Sequence, residues 1–372
     1  MAKHSFFLGL VTGLLALLPC TIAVEITDLF TVQPGARDGG CDDRAAVLDQ
    51  WLSEGIDSID VALNAIDEYR QDPRVRRAMS VIFGIPIPEG PGGPTPEHAL
   101  NIETVRGYIA HVGNFYNHVQ VNGGSMYDRA EYWLFCHSTF LALHDPTDPA
   151  SDYMGKEMLN QTNDPIRIMD VQKYKDKLAE DKKNKPWWSG DLTDLNGYFF
   201  AENGSNYCYP TPGEYDLGIT AAIQHLEQGA NGQAETRGEI ASVIICPYSF
   251  DESPQPDSYR DANDLIARRT NLAKAVPKSA TLLHEAFHAI LRTAFLSGMD
   301  EKYDIADCLR LAGRNPSAAR KNPENYVFFI AHMYHMRGGE DGDEPWSIRT
   351  QWDFDFPRTG RRVYGAVETH QT

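Results

Sequence analysis

The chain has 372 residues, of which 34 are Lys or Arg and 52 are Asp or Glu, so its formal net charge at pH 7 is −18. Because 42% of the residues are hydrophobic, the chain can bury a large core, which excludes disordered and fibrous classes. The negative charge, together with the absence of a long run of Lys or Arg, argues against nucleic acid as a partner.

The N-terminus, residues 1–23, has the composition of a secretory signal peptide. Lys3 supplies the positive charge, an apolar stretch follows from about Phe6 to Leu18, and small residues near Ala23 suit a cleavage site. The apolar stretch is too short to span a bilayer comfortably. We therefore predict a secreted, extracellular protein with no stable membrane association, and we expect it to be a monomer.

Export makes disulfide formation the expected role of the cysteines. Loss of Cys20 with the signal leaves five, which allow two bridges and one free thiol: Cys41, Cys136, Cys208, Cys246 and Cys308. Asn160 and Asn203 begin N-x-S/T motifs, so we also predict a glycoprotein.

The first third of the chain has mainly helical patterns. After a strand-like segment at 25–32, apolar residues recur every three or four positions over 42–69, which predicts one long or two short amphipathic helices. The same spacing predicts helices at 74–83 and 101–116. Residues 129–143 are apolar nearly throughout and fit either a strand or a helix.

The middle of the chain is polar and the last third is apolar again. Residues 145–196 are predicted to be a surface insertion or loop excursion. A β-branched segment at 239–248 predicts a short buried strand. Residues 279–298 predict a helix with one apolar stripe, which begins after Ser279 and ends at Gly298. Residues 341–372 show no helical period, and we predict a tail or a lid there.

The predicted helix at 279–298 contains His284, Glu285 and His288 in the pattern H-E-x-x-H. The spacing of four residues places both imidazoles on one helix face, where they can bind the same zinc ion. Zinc lowers the pKa of a bound water, and an adjacent carboxylate can accept the proton of that water and pass it to a leaving amine. The pattern therefore predicts Zn²⁺ as the cofactor and Glu285 as the general base.

A zinc site of this kind needs a third protein ligand. The longer pattern with a third histidine is not present, because Leu291 and Ala294 occupy its glycine and histidine positions. A carboxylate just past the predicted turn at Gly298 can fold back onto the helix face. The segment offers several acids, of which Asp300 and Asp304 are the natural candidates; the others are Glu301, Asp307 and, later in the chain, Glu324.

The blocks around this helix resemble those of the aspzincins, a family of secreted fungal zinc metalloendopeptidases that includes deuterolysin and the peptidyl-lysine metalloendopeptidases. The family continues with G-T-x-D-x-x-Y-G, similar to S-G-M-D-E-K-Y-D at 297–304, and with N-A-D before an aromatic stretch, similar to N-P-E-N-Y-V-F-F at 322–329. Gly40-Cys41 and V-I-I-C-P-Y-S-F at 243–250 are similar to two earlier blocks. The resemblance spans about residues 40–330 and is densest over 239–330.

The resemblance implies an α+β, zincin-like metalloprotease fold with a small sheet and a helical N-terminal half, in one domain over 24–340 with insertions. It implies His284, His288 and Asp300 as the zinc ligands. It further implies that Tyr303 donates its hydroxyl to the developing oxyanion or to the substrate carbonyl.

The resemblance also bears on a disulfide and on specificity. It implies that Cys246 pairs with Cys136 or Cys208. In lysine-specific members two acids of the third block form the pocket for the residue after the scissile bond, and these positions are similar to Glu324 and Val327 here. One carboxylate beside an apolar residue implies a loose preference for basic side chains. The alternative role of Glu324 is to cap a helix that begins near Asn322.

These observations lead to the hypothesis of a secreted zinc endopeptidase that acts on protein or peptide substrates. The alternative is a catalytically weak or inactive zincin-like protein that binds a protein partner. Glu285 favours the enzyme, because a binding protein has no need to keep a general base beside the metal ligands.

Overall fold

The computed structural model describes residues 24–88, 95–121, 124–295, 300–338, 350–355 and 365–368, which form a mixed α+β fold as predicted. The predicted signal peptide, Gly298 and much of the C-terminal tail lie outside these residues. Within the described ranges, no helix is both long enough and apolar enough to cross a membrane.

The helices and strands alternate irregularly along the chain. The α-helices of the described ranges are α1 (Ile26–Leu29), α2 (Ala45–Asp67), α3 (Pro73–Phe83), α4 (Pro96–Tyr116), α5 (Gln172–Glu180), α6 (Pro247–Asp251), α7 (Tyr259–Leu265), α8 (Ala280–Leu291), α9 (Ile305–Arg314), α10 (Pro316–Ala319) and α11 (Pro323–Arg337). The strands are β1 (Thr31–Val32), β2 (Gln120–Val121), β3 (Gly124–Ser125), β4 (Tyr132–Phe135), β5 (Ala142–Leu143), β6 (Lys185–Trp188), β7 (Tyr198–Ala201), β8 (Gly218–Gln228), β9 (Ala234–Ile245), β10 (Trp352–Asp355) and β11 (Gly365–Glu368).

The N-terminal half is helical, as the spacing of its apolar residues predicts. The segment 42–69 forms one long helix, α2, rather than two short ones, and α3 and α4 lie close to their predicted positions. The segment 25–32 differs from the strand-like prediction, since α1 precedes the two-residue strand β1. Two carboxylates satisfy amides at the start of this single helical turn: Asp28 accepts from the Glu25 N–H, and Asp49 accepts from the Ile26 N–H.

Seven strands form the main sheet in the order β1-β4-β9-β8-β7-β6-β5. β1, β4 and β9 run parallel to one another, and the remaining neighbours pair antiparallel. The apolar segment 129–143 supplies β4 and β5, so its strand interpretation is the one observed. The predicted strand before Cys246 is confirmed, although β9 begins earlier than expected, at Ala234.

The segment 145–196 differs from the predicted loop excursion, because it contains α5 and β6 and encloses apolar side chains. Ala150, Met158, Ile168 and Tyr174 pack with Trp188 in a separate cluster at the far end of the sheet. Short isolated bridges connect this segment to itself, such as the one between residues 149 and 167. Its apolar residues follow no regular period, which is why the sequence pattern did not indicate a core.

Helix α8, which carries the H-E-x-x-H pattern, lies between the β8–β9 part of the sheet and helices α2, α4 and α11. It ends at Leu291 rather than near Gly298, because Arg292 adopts a φ of 46° and a short 3-10 turn follows. Ten of its twelve residues are buried, instead of the predicted single apolar stripe. Its polar side chains are therefore buried and require polar partners.

Two disulfides and one buried free thiol account for the five cysteines. Cys41 pairs with Cys136, and Cys208 pairs with Cys246, while Cys308 is free. The expectation that Cys246 is bridged is confirmed, with Cys208 as the partner. The Cys208–Cys246 bridge links the loop before β8 to the residue that follows β9. Both of these strands contact α8.

The described parts of the predicted tail form a two-stranded antiparallel sheet of β10 and β11. Oδ1 of Asp353 on β10 lies at hydrogen-bond distance, 2.8 Å, from Nε2 of His332 on α11. This part of the chain is therefore fixed to the helical layer by a buried polar contact.

Candidate active site

The side chains of His284, His288 and Glu301 converge at one point beside α8. The Nε2 atoms of His284 and His288 lie 2.9 and 3.2 Å from Oε1 of Glu301. Ligand atoms at tetrahedral angles and about 2.1 Å from an ion lie roughly 3.4 Å apart, so the two distances to Glu301 are close to the spacing of such a site. The group can hold a metal ion.

Glu301 occupies the place in this group that was predicted for Asp300. The Asp300 side chain is exposed, whereas Glu301 is 6% exposed and faces the histidines. Of the two acids, therefore, it is Glu301 whose side chain faces α8. The structure thus places Glu301, and not Asp300, in the group that could hold a metal ion. Asp304, the other candidate, caps α9 by accepting a hydrogen bond from the Ala306 amide.

Asn322 fixes the main chain that carries Glu301. Its Oδ1 accepts a hydrogen bond from the Lys302 N–H at 2.8 Å, and its Nδ2 donates to the Lys302 carbonyl at 2.8 Å. Asn322 is fully buried and directly precedes α11. Its side-chain amide pairs with the main chain of Lys302 in the way that the main chain of a neighbouring β-strand would. The sequence indicated Asn322 only as a helix start, because this contact crosses 20 residues.

Glu324, predicted to line a substrate pocket, contacts a histidine of the metal-binding group. Its Oε2 lies 2.9 Å from Nδ1 of His284. A carboxylate that accepts from Nδ1 leaves Nε2 free to face an ion and holds the ring in one orientation. Glu324 lies in the first turn of α11, as the capping alternative requires, but its side chain binds the imidazole. Val327 is buried and lines the same cleft.

Burial and hydrogen bonding shift the pKa values of the side chains in this group in opposite directions. Burial favours a higher pKa for Glu301, but hydrogen bonds from His284 and His288 lower it to about 2. Burial also favours a lower pKa for His284, but hydrogen bonds with Glu301 and Glu324 raise it well above its usual value. The anionic carboxylate and its two imidazoles thus form a buried group that is suited to a cation.

Glu285 is buried beside the two histidines and is 4% exposed. Burial raises its pKa, whereas the two imidazoles and a hydrogen bond from Thr220 act in the opposite direction. Thr220 lies on β8, with Oγ1 at 2.9 Å from Oε2 of Glu285. Thr220 belongs to no recognisable motif, so the sequence carried no signal for this contact.

Tyr303 lies at the open side of the group. Its ring centroid is 5.7 Å from that of His284, and its side chain is 59% exposed. Partial burial and the carboxylates of Glu301, Glu285 and Glu324 raise the pKa of the phenol, so the hydroxyl stays protonated near neutral pH. The structure therefore brings Tyr303, predicted from the resemblance, to the cleft beside the metal-binding group.

The two histidines line one cleft of about 540 Å³ together with Thr220, Glu285, Glu301, Tyr303, Glu324 and Val327. Its further lining includes apolar and acidic groups from the loop before β8, among them Tyr207, Tyr215, Asp216 and Leu217. A cleft of this size and mixed polarity is typical of a small-ligand or peptide site.

Comparison of the chain with protein-family models, curated proteins and solved structures finds no match. The interpretation of the cleft therefore depends on its geometry and on the motif resemblance.

Proposed function

We propose that this protein is a zinc-dependent endopeptidase that hydrolyses peptide bonds in protein or peptide substrates. The proposal is based on one observation: Nε2 of His284, Nε2 of His288 and Oε1 of Glu301 converge, and buried Glu285 lies beside them. Two imidazoles and one glutamate form the ligand set of catalytic zinc sites in several peptidases, and this set leaves one position open. The resemblance to aspzincins and a zincin-like interpretation of the fold support the same proposal.

The roles of the chain's own residues follow from their positions. Zinc held by these ligands would supply Lewis acidity and lower the pKa of a water molecule. Glu285 would accept the proton of that water and deliver it to the leaving nitrogen. The Tyr303 hydroxyl would donate a hydrogen bond to the carbonyl oxygen as negative charge develops on it. Glu324 would hold His284 in its ligating orientation.

The cleft suits a peptide with a loose preference for a basic side chain after the scissile bond. Glu324 and Asp216 provide carboxylates, and Val327 provides an apolar surface that also accepts uncharged side chains. A secreted, extracellular enzyme is proposed as well, because two disulfides are typical of exported proteins.

The experiment that tests the proposal compares zinc-loaded wild-type protein with Glu285→Gln on a denatured protein substrate. We expect about one zinc per chain in both, and a fall in kcat of about 10²- to 10⁴-fold in the variant, because only the proton carrier is neutralised. Glu157→Gln, which changes an exposed glutamate in the 145–196 segment, serves as the control. A wild-type protein that binds zinc but cleaves nothing in a broad peptide library would favour the binding-protein alternative.

A further inference from the structure

We propose that Thr220 is a positioning residue for Glu285, and that Gly218 provides the space in which the Glu285 carboxylate is held. The inference rests on the proposed function, since it takes Glu285 as the general base. Gly218 and Thr220 are two residues apart on β8, so they lie on the same face of the strand, toward α8. Ala221 lies on the opposite face, in a separate apolar cluster.

Thr220 connects the strand to both the side chain and the main chain of Glu285. Its Oγ1 lies 2.9 Å from Oε2 and 3.1 Å from the main-chain oxygen of Glu285. A hydroxyl has a single hydrogen to donate, and a charged acceptor forms the stronger bond. The hydroxyl therefore donates to Oε2 when the carboxylate is ionised, which leaves Oε1 available to exchange a proton with water.

Gly218 keeps free space beside that second oxygen. A Cβ at residue 218 would lie 3.0 Å from both Cγ and Oε1 of Glu285 and 3.1 Å from Cγ2 of Thr281. Contacts this short are tighter than ordinary van der Waals contacts, so a side chain here would displace the carboxylate or its neighbours. Gly218 also lines the cleft, so the space beside Oε1 opens toward a bound substrate.

The orientation of Glu285 needs such a constraint because other carboxylates lie nearby. Glu301 and Glu324 line the same cleft as Glu285. A glutamate side chain has several rotatable bonds and can turn away from a neighbour of like charge. The hydrogen bond from Thr220 selects one orientation without adding a charge to the site, and a catalytic group misplaced by about 1 Å can lose roughly 100-fold in rate.

The first experiment measures peptide cleavage by the zinc-loaded protein. Thr220→Val removes the hydroxyl but keeps the shape of the side chain, and we expect kcat to fall about 10- to 100-fold while KM changes less than about twofold. Thr220→Ser keeps the hydroxyl and should stay within about threefold of wild type. Thr236→Val, at an exposed position on β9, is the matched control and should leave kcat unchanged. A Thr220→Val protein with wild-type kcat would overturn the inference.

The second experiment separates positioning from a general structural role. If Thr220 acts through Glu285, Thr220→Val should cause no further loss of rate in a Glu285→Gln background; a further loss of about tenfold would overturn the inference. Gly218→Ala provides an independent variant that disturbs the carboxylate from the other side, and we expect a lower kcat with zinc content unchanged.

A third measurement does not depend on activity. A crystal structure of Thr220→Val should show the Glu285 carboxylate turned from its wild-type position, whereas Thr220→Ser should preserve that position. An unchanged orientation in Thr220→Val would overturn the inference even in an active enzyme. If the wild-type protein cleaves no peptide, the proposed function fails, and this structural comparison alone decides whether Thr220 orients Glu285.

Discussion

Two buried glutamates near α8 have pKa values shifted in opposite directions, and the comparison shows which surroundings favour the neutral or the charged form of an acid. Glu54 on α2 is 1% exposed and accepts hydrogen bonds from the Tyr259 amide and from Ser279 Oγ, just before α8. Glu301 is similarly buried but contacts both imidazoles of the metal-binding group. Burial raises the pKa of Glu54 to about 7, whereas the imidazoles lower that of Glu301 to about 2.

The difference lies in the partners and not in the depth of burial. Two neutral donors lower the pKa of Glu54, but burial outweighs them, and the carboxylates of Asp261 and Asp57 raise it further. Glu301 gains hydrogen bonds and opposite charge from the histidines, and these outweigh burial. The first acid is therefore suited to a neutral structural role, and the second is suited to binding a cation.

The largest expected effect is on zinc affinity, and it distinguishes Glu301 from its neighbour Asp300. Glu301→Ala should lower zinc affinity at least about 1,000-fold, more than the roughly 10- to 100-fold typical of residues that only hydrogen-bond a ligand. Asp300→Ala should leave the affinity unchanged, since this side chain is exposed. Competition with a zinc chelator measures both values. A reversed order of the two variants would restore the ligand set that the aspzincin resemblance implies.

The next effect concerns Glu54 and the pH dependence of stability. Its pKa in the folded protein, about 7, lies above the ordinary value of 4.5 that applies when the chain is unfolded. Between these values the folded state holds a proton that the unfolded state has lost, so the free energy of unfolding decreases as pH rises from about 4.5 to 7. The full change is about 3 kcal/mol.

Glu54→Gln should remove this pH dependence, because a glutamine can accept from the Tyr259 amide and donate to Ser279 Oγ without carrying charge. Urea unfolding at pH 4 and 8.5 measures the effect: the variant should be more stable than wild type at the higher pH and similar to it at the lower, where Glu54 is mostly protonated in both the folded and the unfolded chain. The exposed Glu157→Gln control should follow wild type at both values. A variant that is less stable than wild type at pH 8.5 would contradict the neutral role of Glu54.

The smallest expected effect concerns Glu324, which contacts His284 from the side away from Glu301. Glu324→Ala should lower zinc affinity about 10- to 100-fold, because His284 loses the partner that orients its ring. Mapping of cleavage sites by mass spectrometry then tests specificity. If the basic preference persists in zinc-saturated Glu324→Ala, another carboxylate such as Asp216 supports it; if the preference disappears, Glu324 binds the substrate directly.

Local patterns in the sequence were sufficient to predict α2, α3, α4 and the strand before Cys246. They also predicted that His284 and His288 share one helix face and that Glu285 lies beside them. These features depend on residues within a few positions of one another, and the helical and strand periods describe such neighbours well. The bridge at Cys246 was predicted only as one of two pairings, because its partner lies in a distant segment.

Only the tertiary structure decided the rest of the site. The contacts of His288 with Glu301, of His284 with Glu324 and of Thr220 with Glu285 join residues 13, 40 and 65 positions apart. No local period relates such positions, so the choice of Glu301 over Asp300, the contact made by Glu324 and the part played by β8 were not predicted. They depend on how α11 and the sheet pack against α8, since this packing determines which polar side chains become buried together and must satisfy one another.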